Sequence, residues 1–150
     1  LPAKPNWKGT TITSLEEFLD EPKFATAINC IDGRVQLPVI NWLKERCQVD
    51  FVDMITEVGP DKLMAERDPE RLPGIKARVK ISVEKHGSQV IALVAHGDCA
   101  GNPVTKDEHF GHLRRGMECL RGWELDVDIV GLWISETDWK VEEFAVITRD

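Results

Sequence analysis

Cys30-Ile31-Asp32-Gly33-Arg34 and His96-Gly97-Asp98-Cys99 are the two stretches of this chain whose side chains are best suited to chemistry. Each follows a short apolar run of strand-like composition. Two thiols and an imidazole delivered from the ends of two strands can meet on one cation, and three such donors leave a tetrahedral zinc ion one position for water. A structural zinc site takes four protein ligands, often as paired C-x-x-C motifs, and the sequence contains no C-x-x-C. The pattern therefore predicts a catalytic Zn2+ held by Cys30, His96 and Cys99 with an acid, Asp32, beside it. The plainer alternative is two buried thiols and a capped loop histidine. Thiolate and imidazole suit zinc, although cobalt or iron fits the same donors.

The elements that must position these residues can be read from periodicity. The first 11 residues, with Pro2, Pro5 and Gly9, form an irregular arm, and Thr13 with Glu16 makes a capping box opening a short helix to about Asp20. A buried-type strand over Phe24 to Asn29 ends at Cys30, and Gly33 allows a sharp turn. Pro38 opens a helix reaching Cys47, with Val39, Ile40, Trp42 and Leu43 apolar. A second strand spans about Asp50 to Val58 and stops at Gly59-Pro60. Residues 59 to 74, with three prolines and seven charges, predict a long surface connection with one helical turn near Lys62 to Arg67. Ile75, Val79 and Val83 mark a crossover helix stopped by Gly87, which feeds a strand over Gln89 to Ala95. A helix over 105 to 121, a strand over Val127 to Ile134 and an edge strand over Phe144 to Thr148 complete the chain. Alternating strands and helices predict one α/β domain over 1–150, a mostly parallel sheet of four strands plus that edge strand, flanked by helices. In such sheets ligands bind at carboxyl ends of strands where strand order reverses. If the first and third strands are neighbours, Cys30, His96 and Cys99 meet there.

The two motifs together resemble those of the β-class carbonic anhydrases, whose zinc is held by a C-x-D-x-R loop and an H-x-x-C loop. Here both occur in order, 66 residues apart from Cys30 to His96, and the resemblance covers roughly residues 24 to 135. It implies Cys30, His96 and Cys99 as zinc ligands and a zinc-bound hydroxide that attacks CO2 reversibly to give bicarbonate. Asp32 would orient the hydroxide and Arg34 would hold Asp32; with the dyad broken, Asp32 becomes a fourth ligand in a closed state. The resemblance also implies a homodimer or higher homo-oligomer. Gly97, Gly101 and Asn102 are the expected bicarbonate contacts, Gly101 through close backbone approach to metal or anion and Asn102 through its amide. Two departures stand out: Ala100-Gly101-Asn102 follows the ligand cysteine where a glycine is usual, and Thr56-Glu57-Val58-Gly59-Pro60 replaces an Arg-Asn-Ala-Gly-Asn-like stretch. The same scaffold would suit a carbonyl sulfide or carbon disulfide hydrolase, or a zinc-binding module without turnover.

Composition narrows the remainder. With 26 acidic and 19 basic residues the net charge is −7, and only Arg114-Arg115 places two cations side by side, so no nucleic acid is expected as partner. No apolar run approaches membrane-span length, and no secretory leader is visible, so a cytoplasmic protein with reduced thiols is expected. Cys47 and Cys119 fall on apolar helix faces as small hydrophobes. His109 and His112 read as a solvated helix end, with a second metal or proton-shuttle role as the sharper alternative, and His86 as a cation at a helix C-terminus. Trp42 is expected in the core, Trp133 and Trp139 over a subunit contact, and Glu57 on the surface.

Overall fold

Seven-residue strands carry the site, and their burial explains why they read as unbroken apolar runs. The fold comes from a computed structural model that describes residues 21–150; the arm and the helix expected near 13 to 20 lie outside the described residues. The strands are β1 (Phe24–Cys30), β2 (Phe51–Glu57), β3 (Val90–His96), β4 (Asp128–Ile134) and β5 (Val141–Ile147). They form one five-stranded sheet in the order β2-β1-β3-β4-β5. Pairings among β1, β2, β3 and β4 are parallel, and β5 runs antiparallel to β4 with an irregularity between Gly131 and Leu132. The edge strand starts three residues earlier than its expected Phe144: the consecutive Glu142 and Glu143 both stay exposed, which an edge strand tolerates and a central strand would not.

β1 is flanked by β2 on one side and β3 on the other, so strand order reverses between β1 and β3. Their register pairs Ile28 with Leu93. By that count Cys30 and His96, the last residues of the two strands, end within one residue of the same level.

Among the described residues four helices cover the sheet: α1 (Gln36–Cys47), α2 (Pro60–Ala65), α3 (Leu72–His86) and α4 (Lys106–Arg121), with a 3-10 turn at Gly33–Val35 before α1. Because successive side chains alternate across a strand, Ala25, Ala27, Ala92 and Val94 face Val39, Leu43 and Cys47 of α1. Ile28, Ile91 and Leu93 face Met64, Ile75, Val79, Leu113, Met117 and Leu120 from the other three helices. Cys47 and Cys119 are buried as expected of small hydrophobes.

The segment 59 to 74 departs from the expected surface connection. Pro60 opens α2, and Asp61, Met64 and Ala65 are buried, while α3 begins at Leu72 with Pro73 in its first turn. The reason lies on α4: a Cβ at Gly116 would stand 3.1 Å from Met64 Cβ and 2.5 Å from Leu93 Cδ2, so its absence lets α2 dock. α4 itself starts where Thr105 accepts from the Glu108 N–H and Glu108 accepts from the Thr105 N–H, a full capping box.

Candidate metal centre

Cys30 closes β1 and is fixed from both sides. Its N–H donates to Asn29 Oδ1 at 2.9 Å, Asn29 Nδ2 donates to the Val35 carbonyl at 3.1 Å, and Gln36 Nε2 donates to the Cys30 carbonyl. Ile31 N–H then reaches the Glu57 carbonyl at 3.0 Å, extending the β1–β2 ladder past the ligand. Asn29 is fully buried, and its signal in the sequence was a polar residue at the end of an apolar strand. Gln36 and Asn29 were not among the residues singled out there.

His96 closes β3. Its Nδ1 donates to the Gly97 carbonyl at 2.7 Å, which leaves Nε2 as the atom with a free lone pair. That Nε2 is buried without a hydrogen-bond partner. Cys30, His96 and Cys99 are all buried, and one ligand atom from each lies within 4.8 Å of the others. An orphaned imidazole nitrogen between two sulfurs is the donor set of a three-ligand zinc site, so the residues fit that ion. The Cys99 thiol lowers Cys30 to about 4, against burial and with His96 adding, while the charged Cys30 and burial raise Cys99.

Asp32 and Arg34 form a forked pair beside the ligands. Arg34 Nε donates to Asp32 Oδ1 at 3.1 Å and Nη2 to Oδ2 at 2.7 Å, and the Arg34 N–H donates to Oδ1 at 2.9 Å. The hydrogen bonds from the guanidinium lower the Asp32 carboxyl to about 2, against its burial. Arg34 also reaches Asp98, with Nη1 at 3.2 Å from its carboxylate and Nη2 at 3.3 Å from its carbonyl. A cleft of about 460 Å³ opens here, lined by Asp32, Arg34, Asp98, Cys99 and Val104. Another of about 440 Å³ lies at the amino ends of the strands among Lys23, Phe24, His86 and Val90, away from all three ligands.

The loop after Cys99 is packed against protein. A Cβ on Gly101 would stand 2.7 Å from the Val58 carbonyl carbon and 2.8 Å from Gly59 N, and Gly59 has φ +64°. The close approach expected of Gly101 is thus to the turn after β2, which accounts for Gly59 within the departing stretch 56–60. Asn102 is 1% exposed, with its Nδ2 at 3.0 Å from Asp61 Oδ2 and 2.9 Å from His112 Nδ1. Its amide nitrogen is engaged by the protein. Gly97 Cα is overlain by the Glu136 carboxylate, since a Cβ there would collide with it.

Several other expectations change. His109 is buried, with Nδ1 at 2.7 Å from Asp61 Oδ2, because α4 turns that side toward α2; it is not a solvated end. Glu57 is half-buried and pairs with Arg78 rather than standing on the surface. Trp133 lies in the core, Trp42 packs partly buried against α1's side of the sheet, and Trp139 stacks on Arg34. His86 Nδ1 lies 2.7 Å from Asp53. Trp139 and Asp61 have no local sequence signal, since each acts across distant elements.

Residues 20–145 match a family described as "Putative carbonic anhydrase". No curated protein matches the chain. Among solved structures, β-carbonic anhydrase isoform I of Trichomonas vaginalis superposes with TM-score 0.59 at 17% identity, covering 83% of this chain and 84% of that one. A carbonic anhydrase of Glaciozyma antarctica gives 0.54 at 16%, covering 83% and 84%. A tetrameric β-carbonic anhydrase of Sordaria macrospora gives 0.51 at 11%, covering 85% and 83%. These likenesses establish the shared fold.

Proposed function

Because the chain belongs to the carbonic anhydrase family, matched over residues 20–145, a family of carbonate dehydratase lyases, we propose that it reversibly hydrates CO2 to bicarbonate with Zn2+ at Cys30, His96 and Cys99. The observation that carries this reading is the buried convergence of those three donors at the strand-order reversal. Zinc, when bound, supplies a Lewis acid that brings the pKa of a water from ~15.7 toward ~7.

The residues around it do the rest. Asp32, ionised at any neutral pH, accepts a hydrogen bond from the attacking water and so directs a lone pair away from itself. Arg34 keeps that carboxylate charged and oriented through a bidentate fork. Substrate enters the cleft beside Asp32, Asp98 and Val104. Gly101 and Asn102 act by shaping the Cys99 loop, given their packing on Val58, Gly59 and Asp61. We place the protein in a reducing compartment, the cytoplasm, since an open thiolate site needs reduced thiols. Among the described residues no helix is long and apolar enough to cross a membrane. We assign it a homodimeric or higher assembly, in keeping with the exposed Ile31, Leu37 and Phe51.

Stopped-flow CO2 hydration by zinc-loaded protein between pH 7 and 9 tests the reading, with Asp32→Ala as comparison. Wild type should exceed the variant by roughly 100-fold or more. Equal rates would refute it and favour zinc binding without turnover, and faster sulfide release from carbonyl sulfide than CO2 hydration would move the substrate.

A further inference from the structure

Trp139 sits in the β4–β5 connection, far along the chain from the first motif, yet its indole touches both ligand loops. The Arg34 guanidinium carbon lies 4.3 Å from the ring centroid. The His96 ring lies 6.3 Å away, tilted by 49°. The backbone at Trp139 is left-handed, φ +56°, a conformation that asparagine or glycine adopts far more readily than a bulky aromatic. It is held by a hydrogen bond from Trp139 N–H to the Ser135 carbonyl at 2.9 Å. Backbone strain kept in place by its surroundings tends to mark a functional placement.

Arg34 needs such a brace. Its side chain is 47% exposed, and exposed ion pairs are held weakly because water competes and a long side chain loses entropy. Its edge is taken by Asp32 and Asp98, the latter carboxylate itself 70% exposed. The indole meets the guanidinium through its π-face, an attraction that leaves the N–H groups free for the carboxylates. A carboxylate released from Arg34, two residues from Cys30, is a competent ligand for zinc or cobalt.

Resting on the metal site assigned above, we propose that Trp139 is a positioning residue: it pins Arg34 in the plane that grips Asp32, and so keeps that carboxylate off the metal position. The test uses cobalt-loaded protein and reads azide binding from the cobalt absorption spectrum, with no turnover required. Trp139→Asn suits the left-handed backbone, so the fold and cobalt uptake are retained while the brace is lost. Azide affinity should fall roughly three- to thirtyfold. Trp139→Phe, which keeps an aromatic face, should recover most of it. Adding Asp32→Ala to Trp139→Asn should return azide affinity to that of Asp32→Ala alone, since no carboxylate is left to compete. An azide affinity in Trp139→Asn equal to wild type overturns the proposal, as does a loss that Asp32→Ala fails to reverse. A wild type that takes up no cobalt overturns both this inference and the metal site. A wild type that binds cobalt and azide but hydrates no CO2 overturns the activity alone, and the comparison of azide affinities still decides the role of Trp139.

Discussion

Asn29 shows how much of the site is built by residues that touch no substrate. Fully buried, it joins the Cys30 N–H to the Val35 carbonyl and so sets the direction of the first thiol. Residues that orient ligands in this way commonly change metal affinity by about 10- to 100-fold. Asn29→Ala should weaken zinc binding by that amount, measured by competition with a chromophoric chelator, whereas unchanged affinity would make Asn29 a folding residue only. Cys99→Ser should do more, removing a thiolate outright and leaving zinc below one equivalent after dialysis. The two motifs made Cys30, His96, Cys99, Asp32 and Arg34 legible because each is local in sequence. Trp139 and Asp61 were not, because their partners stand across the sheet or on another helix.

Elements were legible wherever burial on both faces wrote a continuous apolar run, as in β1, β3 and β4, and where one apolar side recurred at helical spacing, as over 105 to 121. The segment 59 to 74 misled because its charges and prolines look like a surface loop, while the buried side of α2 depends on Gly116 of a helix some fifty residues on. The turn after β2 and the loop after β3 meet at Gly59 and Gly101, where backbone lies against backbone. Gly101→Ala must separate them, and overpacking of this kind typically costs about 1–3 kcal/mol. Denaturant unfolding should show that loss together with weaker zinc binding; a stable variant with wild-type affinity would mean that the two loops move freely. A different junction ties the end of the chain to β4: Arg149 donates its N–H to Asp128 Oδ1 at 2.9 Å and its Nε to the same oxygen at 3.3 Å. Burial would raise Asp128, but it is held at about 2, with the backbone and side-chain hydrogen bonds from Arg149 the largest lowering influences. A carboxyl lower in the folded than in the unfolded chain, where it is ~3.9, adds stability that is present above pH ~4 and lost as pH falls toward about 2. Thermal melts should therefore fall across that window in wild type, and the fall should be shallower in Asp128→Asn.

At the scale of the whole molecule, the parallel sheet does the positioning. Placing β2 and β3 on opposite sides of β1 puts two strand ends next to each other with no connection crossing between them, and both ligand motifs are at those ends. The alternation of strands and helices made that arrangement readable, although neither strand order nor the packing of α2 follows from it alone. Zinc-dependent turnover is tested most directly by a zinc titration of the metal-free protein with CO2 hydration followed at each addition. The rate should rise in proportion to zinc up to one equivalent per chain and then stay level. One equivalent of zinc held by the protein with no acceleration over the buffer would contradict it.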